Sequence, residues 1–166
     1  MANAICTAEG AIAIAMDNTA ITLCTAKILV IGFGRIGKVL SHRLRGLGAE
    51  VYVSARSHYD RAWTLAYGYK PLDTYKLGGL LSGFDVIINT VPAHVLDENL
   101  LREVKKSTLL LDLASKPGGI DFASAAGLGL HVIWALSLPG EAAPITSGAI
   151  IRDTIYNILQ EEEEKL

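Results

Sequence analysis

An apolar segment, a glycine-rich turn and a helical pattern follow one another early in the sequence. After Lys27 four apolar residues precede the turn at residues 32–37, and apolar side chains then recur at helical spacing as far as Leu47. A second short apolar segment, residues 51–54, comes where a βαβ unit requires its second strand. This order predicts a parallel β-sheet assembled from βαβ units.

Each glycine of the turn has its own physical role in such a unit. Gly32 allows the tight turn out of the strand, Gly34 lets a pyrophosphate approach the backbone, and Gly37 lets the helix pack closely on the strand. The anion then faces the free N–H groups at the helix N-terminus. We therefore predict a dinucleotide site whose pyrophosphate turn also includes Arg35 and Ile36. The alternative is a glycine-rich turn that binds no ligand.

The end of the second strand bears on which dinucleotide binds. An NAD site usually has Asp or Glu about 20 residues beyond the glycines, where it accepts hydrogen bonds from the ribose 2′-hydroxyl. This sequence has Ser54, Ala55, Arg56 and Ser57 there instead. A guanidinium flanked by two hydroxyl groups suits a 2′-phosphate, which arginine can bind bidentately. Ser54, Arg56 and Ser57 therefore predict NADP as cofactor; alternatively, Arg56 is a solvated loop residue and the cofactor is NAD.

Composition limits the classes of partner. The 166 residues are 51% hydrophobic and carry a formal net charge of −2, which favours neither a nucleic-acid partner nor a disordered tail. No apolar stretch has transmembrane length, and the N-terminus lacks the pattern of a signal peptide. Cys6 and Cys24 have neither CxxC spacing nor a histidine cluster and are interpreted as reduced thiols. We expect a cytoplasmic protein that binds neither nucleic acid nor membrane.

Helical and strand patterns alternate along the whole chain. A helix is predicted over residues 3–18 with Thr7 as its N-cap, and another follows Ser57 as far as Gly68. Further helices are predicted over residues 74–81, 97–104, 120–126 and 144–160, and further strands over residues 69–72, 84–89, 108–112 and 131–134. Alternating strands and helices predict an α/β fold, a doubly wound parallel sheet of the Rossmann type flanked by helices.

Ligands of such sheets bind outside the carboxyl ends of the strands. The strand predicted over residues 84–89 ends at Asn89, and Thr90, Val91 and Pro92 follow it. We expect these four residues to border the nicotinamide half of the cofactor; an ordinary turn at a strand end is the alternative. His94 comes next on this rim and is a candidate proton donor, because the pKa of histidine is near neutrality. A solvated loop histidine is the other interpretation.

Lys116 is a second candidate catalytic residue. It follows the strand predicted over residues 108–112 and lies between Ser115 and the turn at residues 117–119. A lysine there can bind a substrate carboxylate or act as an acid, but an exposed lysine without a role fits equally well. His42 and His131 are interpreted as structural, and the sequence offers neither a catalytic triad nor a metal-binding cluster on this rim.

Several segments together resemble the family of dipicolinate synthase A subunits. The most specific is residues 112–122, DLASKPGGIDF, and the others are residues 3–5, 7–11, 32–37, 54–56, 89–92, 138–140 and 143–144. The resemblance covers nearly the whole chain. It implies an NADP-linked oxidation of a dihydrodipicolinate-type precursor during sporulation. The partners that it implies are a small cyclic dicarboxylate and the B subunit of dipicolinate synthase.

Members of that family carry a further N-terminal domain. On the resemblance, residues 1–26 would be a linking helix and lead-in, residues 27–166 the NADP-binding domain, and the substrate domain would be absent from this chain. We then expect the isolated chain to be inactive. Its apolar first helix would be buried in a homodimer or on the final helix.

Two other functions stay open. One is a D-2-hydroxyacid dehydrogenase-like domain, although that family uses an Arg, a Glu and a His along this rim and the sequence offers no convincing set. The other is a non-catalytic domain that senses NAD(P).

Overall fold

The computed structural model describes residues 3–164, which form a six-stranded, fully parallel sheet flanked by helices. The predicted α/β class is confirmed. The strands are β1 (Lys27–Ile31), β2 (Glu50–Ala55), β3 (Lys70–Asp73), β4 (Val86–Asn89), β5 (Leu109–Asp112) and β6 (His131–Trp134). The helices are α1 (Asn3–Asp17), α2 (Arg35–Gly46), α3 (His58–Ala66), α4 (Glu98–Leu101), α5 (Phe122–Gly127), α6 (Leu138–Ala142) and α7 (Pro144–Glu163). The parts of our predictions that fall on residues 1, 2, 165 and 166 lie outside the described residues.

The strand order explains where a ligand can bind. The sheet runs β3-β2-β1-β4-β5-β6, so the chain builds outwards from β1 in one direction and then restarts at β4 on its other side. The loops after β1 and β4 therefore leave the sheet in opposite directions. A crevice opens at such a switch point, beyond the carboxyl ends of the strands.

Strand β1, in the interior of the sheet, is buried on both faces, as its continuous apolar sequence predicts. Ile28 and Val30 belong to the core that includes residues of α1 and α2, whereas Leu29 and Ile31 belong to a second core that includes Leu101. All four strand residues are fully buried. The sheet is thus a rigid platform for the loops at its carboxyl edge.

The prediction of a helix over residues 74–81 is wrong. This segment forms turns, followed by a short 3-10 helix at Leu81–Gly83. The Asp73 carboxylate accepts the Tyr75 N–H at 3.0 Å, and Gly79 has a φ of +80°, which does not occur inside a right-handed helix. The Gly79 N–H donates instead to the Glu103 carboxylate.

Three predicted helix ends also need correction. Thr7 is not an N-cap, because its hydroxyl donates to the Asn3 carbonyl within α1. The α5 helix begins at Phe122 and not at Ile120, since the Asp121 side chain accepts the Ser124 N–H and caps it. The helix predicted over residues 97–104 is only the four residues of α4, and α6 was not predicted at all.

The apolar first helix is covered within the chain, mainly by α2 and α6. Its residues Ala8, Ala11 and Ala15 are fully buried. The final helix contacts it near its own beginning, where the Ser147 hydroxyl donates to the Asn3 side chain at 3.4 Å. Beyond Ile150, every described residue of α7 is exposed. Helix α1 therefore does not depend on α7 for most of its burial.

Membrane-spanning and metal-binding features are both missing from residues 3–164. None of the helices there combines the length and apolar character needed to cross a membrane. No group of His, Cys, Asp and Glu side chains in that range is arranged to hold a metal ion.

Candidate dinucleotide site

A cleft of about 580 Å³ opens at the carboxyl ends of β1 to β4. The turn after β1 forms its floor, together with residues 55–57 after β2 and residues 90–95 after β4. Asp60 of α3 also lines it, as do Thr74 and Tyr75 after β3. The cleft thus lies at the switch point of the sheet, where the sequence predicts the cofactor.

The three glycines of the turn differ in what requires them. Gly32 has a φ of +100°, and a Cβ atom there would lie 2.6 Å from Thr90 Oγ1. A Cβ atom on Gly37 would collide with the Gly32 carbonyl, so α2 packs directly on the turn. Gly34 is different, because no described atom beyond Gly34 and its two chain neighbours lies within 4 Å of the position of its Cβ. The fold itself needs Gly32 and Gly37, whereas Gly34 leaves open space in front of the turn.

Helix α2 begins at this open space. Its N-cap residue is Gly34, and among the described residues no side chain caps it. Arg35, the first residue of the helix, is exposed. The first N–H groups of a helix have no partner inside it and carry the positive end of its dipole. An anion such as a pyrophosphate can be bound here.

A second cleft of about 580 Å³ adjoins the first. The two share Gly34, Thr90 and Pro92. The second is otherwise lined by Asn3, Ala4, Thr7, Arg35, Ile36, Leu113, Ala114 and Ser115. Groups bound in the two clefts would therefore be neighbours across the glycine turn.

The three residues predicted to surround a 2′-phosphate are in different environments. Ser54 is fully buried, and its Oγ lies 3.2 Å from Thr74 Oγ1, behind the cleft wall. Ser57 caps α3: its Oγ accepts the Asp60 N–H at 3.0 Å and donates to the Asp60 carboxylate at 2.7 Å. Arg56 is exposed and lines the cleft. Arg56 therefore remains the cation of this group that is available to a ligand.

The loop that carries Arg56 is held by Arg61, which sequence reasoning missed. The Arg61 guanidinium donates to the carbonyls of Ala55 and Arg56, both at 2.9 Å, and lies 3.5 Å from the Asp73 carboxylate. The spacing of Ser57 and Asp60 matches a capping box and could have indicated the start of α3. No comparable pattern marks Arg61, because its partners are backbone carbonyls.

The Asn89 side chain holds the turn after β4 by hydrogen bonds to its backbone. Its side chain is fully buried; the amide donates to Asp112 Oδ1 at 2.8 Å and to the Val91 carbonyl at 3.0 Å, and its oxygen accepts the Val91 N–H at 3.1 Å. The Thr90 hydroxyl donates to the Ile31 carbonyl at 2.9 Å, which joins this turn to β1. Thr90, Val91 and Pro92 themselves line the cleft.

Asp112 is the centre of a buried network that the sequence did not reveal. It is fully buried at the end of β5. Besides the Asn89 amide, its carboxylate accepts the N–H groups of Ala114, at 3.0 Å, and Gly119, at 2.7 Å. Residues 113–119 therefore fold around this carboxylate. The sequence indicated this segment only as a family-specific motif. A single Asp at the end of a strand does not predict which groups it will hydrogen-bond.

The two predicted catalytic residues are placed differently. His94 is exposed and lines the first cleft. The hydrogen bonds that Asp121 accepts from the N–H and hydroxyl of Ser124 hold the pKa of Asp121 below its usual value, and the charge of His94 lowers this pKa further. Lys116 is exposed on the loop after β5 and is not among the residues that line either cleft, whereas its neighbour Ser115 lines the second.

Comparison with known families places this site in context. The model of the family described as "D-isomer specific 2-hydroxyacid dehydrogenase, NAD binding domain" matches residues 8–116. The match includes the glycine turn, the end of β2 and the turn after β4.

Comparison with individual proteins shows a more specific similarity, to A subunits of dipicolinate synthase. The A subunit of dipicolinate synthase from Bacillus subtilis is 37% identical over 159 residues, which are 96% of this chain and 54% of that protein. The crystal structure of the dipicolinate synthase A subunit from the same species has a TM-score of 0.97 at 36% identity, over 100% of this chain and 56% of the other. The crystal structure of the A subunit from Bacillus halodurans has a TM-score of 0.92 at 39% identity, over 95% of this chain and 54% of the other.

A more distant structure shows the same fold. The transhydrogenase from Sinorhizobium meliloti has a TM-score of 0.84 at 19% identity, over 97% of this chain and 55% of the other. This chain spans about half the length of each of these proteins.

Proposed function

The chain belongs to the family of D-isomer specific 2-hydroxyacid dehydrogenase NAD binding domains, and from this we propose that it is the NADP-binding domain of a dipicolinate synthase A subunit. The identity of 37% with the A subunit from Bacillus subtilis over nearly the whole chain supports the choice within the family. The observation that carries the dinucleotide-binding part of the proposal is the open space at Gly34, in front of the uncapped start of α2. That space suits a pyrophosphate.

The proposed binding mode follows the order of the loops. Gly32, Gly34, Arg35, Ile36 and Gly37 form the pyrophosphate turn. The adenosine end lies toward β2 and β3, where Arg56 would pair with the 2′-phosphate and the exposed ring of Tyr75 offers a surface for the adenine.

The nicotinamide ribose would lie beside Thr90, Val91 and Pro92, between the two clefts. In this arrangement Ser54 and Asn89 act from behind the cleft wall, because both side chains are buried and hydrogen-bonded within the protein. Ser57 contributes by fixing the start of α3.

The proposed reaction is hydride transfer between NADP and a small cyclic dicarboxylate of the dihydrodipicolinate type. Oxidation to an aromatic ring removes a hydride, which the cofactor accepts, and a proton. We assign the proton exchange to His94, which lines the cofactor cleft. The binding of a substrate carboxylate is assigned to Lys116, which is exposed next to Ser115 of the second cleft. The partners are the B subunit and a second copy of the chain in a homodimer. The names of the relatives support the substrate and the B subunit, and the exposed apolar residues of α7 support a covering partner.

A titration of the purified chain with NADPH and NADH tests the cofactor part directly. We expect both to bind and NADPH to bind more tightly. Tryptophan fluorescence provides the signal, because Trp63 lies on α3, the helix whose first turn brings Asp60 to the cleft. If neither dinucleotide binds at millimolar concentration, the proposed function is wrong. Size-exclusion chromatography with light scattering on the same sample tests the homodimer.

A further inference from the structure

The adenosine end of the cleft carries an anion beside its cation. Asp60 lines the same cleft as Arg56, and sequence reasoning overlooked it. Its carboxylate accepts the Ser57 hydroxyl at 2.7 Å. Within residues 3–164 the carboxylate takes part in no ion pair. A carboxylate without an ion-pair partner among residues 3–164 thus lines the same cleft as Arg56, our candidate for binding the 2′-phosphate.

The position of this carboxylate is fixed by the start of α3. Ser57 caps the helix by accepting the Asp60 N–H at 3.0 Å, and it returns its own hydroxyl proton to the Asp60 side chain. An acidic side chain in the first turn is favourable beside the positive end of the helix dipole. This helix start is therefore already occupied by an internal anion, and Ser57 has no hydroxyl proton left for a phosphate.

Among the described residues, none of the neighbouring cations forms an ion pair with Asp60. Arg61, the next residue, binds two backbone carbonyls and the Asp73 carboxylate. His94 also lines the cleft, on the loop after β4, and its charge is felt by Asp121. Arg56 and Asp60 are thus the cation and the anion that this loop presents to the ribose of a bound dinucleotide.

The two cofactors would meet this pair differently. A ribose 2′-hydroxyl can donate to a carboxylate and accept from a guanidinium, so it can use both side chains. A 2′-phosphate gains a charge-assisted hydrogen bond from the guanidinium but is repelled by the carboxylate. The geometry points to Asp60 as the residue that limits the preference for NADP, and we propose that it keeps NAD usable in the same site. This inference rests on the proposed function, that the cleft binds a nicotinamide dinucleotide.

The test compares Asp60→Asn with the unsubstituted chain. Asparagine keeps the backbone N–H bond to Ser57 and nearly the same shape, and its amide can donate to a phosphate. We expect the affinity for NADPH to rise about tenfold and the affinity for NADH to fall. The control is Asp153→Asn, which removes an equal charge from the exposed part of α7 and should leave both affinities unchanged.

Three outcomes separate this inference from the proposed function. A ratio of NADPH to NADH affinity that is the same in Asp60→Asn and the unsubstituted chain overturns the inference and leaves dinucleotide binding intact. Failure of the unsubstituted chain to bind either cofactor refutes the proposed function itself. If Asp60→Asn does not fold, the unsubstituted chain still decides: we expect its two affinities to differ by less than about 100-fold, and a larger preference for NADPH overturns the inference.

Discussion

Two glycine-containing loops follow β1 and β5, the strands on either side of β4. They differ in whether their backbone N–H groups already have acceptors within the protein. The open turn, residues 32–37 after β1, leaves the start of α2 uncapped by any described side chain and has empty space at Gly34. The closed loop, residues 113–119 after β5, gives N–H groups of both its ends to the buried Asp112 carboxylate. A loop whose backbone N–H groups lack acceptors can bind an anion, whereas a loop whose N–H groups are already hydrogen-bonded can only support the site. The glycine content of the loop does not decide between the two.

The closed loop supports the site through Asn89. A Cβ atom on Gly119 would collide with the Asn89 amide, so the loop packs directly on that side chain. Asn89 in turn holds the Val91 backbone by two hydrogen bonds. The wall of the cofactor cleft after β4 therefore depends on a carboxylate that never faces the cleft.

The largest effect should come from the closed loop. Asp112→Ala leaves the Asn89 amide and two backbone N–H groups buried without their acceptor, and we expect the free energy of unfolding to fall by about 3–5 kcal/mol. Urea unfolding followed by circular dichroism measures it. Asp112→Asn, which keeps an acceptor oxygen, should cost less. A loss below about 1 kcal/mol for Asp112→Ala would mean that the loop does not depend on this network.

The next effect concerns the cation at the open end of the cleft. Arg56→Ala should weaken NADPH binding by about 1.5–3 kcal/mol, the range for hydrogen bonds to charged groups, and leave NADH binding almost unchanged. Calorimetric titration with both cofactors measures the difference. Equal losses for the two would place Arg56 away from the 2′-phosphate. The stability of the protein should not change, because Arg56 is exposed.

A smaller effect should come from filling the open turn. Gly34 has a φ of −78° and a ψ of −164°, which alanine can adopt, and no described atom is near its Cβ position. Gly34→Ala should therefore keep the unfolding free energy within about 0.5 kcal/mol and weaken NADPH binding about tenfold. Gly46→Ala, at the far end of α2 and equally uncrowded, is the matched control and should not change affinity. Unchanged affinity in Gly34→Ala would remove the pyrophosphate from this turn.

The contrast between the two loops shows what sequence reasoning can reach. Residues 27–37 were predictable because strand, turn and helix are consecutive and each glycine answers to a local requirement. The role of Asp112 was not, since its carboxylate joins the loop that follows it to Asn89 at the end of β4, 23 residues earlier in the chain. A buried side chain that joins distant segments leaves no periodic pattern to recognise.

The hydroxyl groups of Ser54 and Ser57 have partners within the protein that we did not predict. Ser54 and Ser57 suggested a phosphate pocket, but the fold uses one with Thr74 and the other to cap α3. The spacing of Ser57 and Asp60 in the sequence indicates the helix cap. This cap uses the Ser57 hydroxyl that a bound phosphate would otherwise need. Arg56, which has no such internal use among the side-chain hydrogen bonds of residues 3–164, is the member of the set that stays a candidate for the cofactor.

The smallest effect on cofactor affinity is expected at the exposed part of the closed loop. Lys116 is exposed and lines neither cleft, and the backbone around it is held by Asp112 and by the bond from the Gly118 N–H to the Ser115 carbonyl at 2.9 Å. Lys116→Met should therefore leave the loop folded and change NADPH affinity by less than twofold, under about 0.5 kcal/mol.

Such a result would show that Lys116, the exposed cation of the closed loop, gives nothing directly to the cofactor, in contrast to the open turn. In a protein that turns over, the same substitution should lower activity strongly if Lys116 binds a substrate carboxylate, since that carboxylate would lose its cation while the cofactor stays bound. Arg56→Ala in the same titration confirms that a lost phosphate contact is detectable. A loss of NADPH affinity of about tenfold in Lys116→Met would instead assign the lysine to the nucleotide and make the closed loop a binding loop as well.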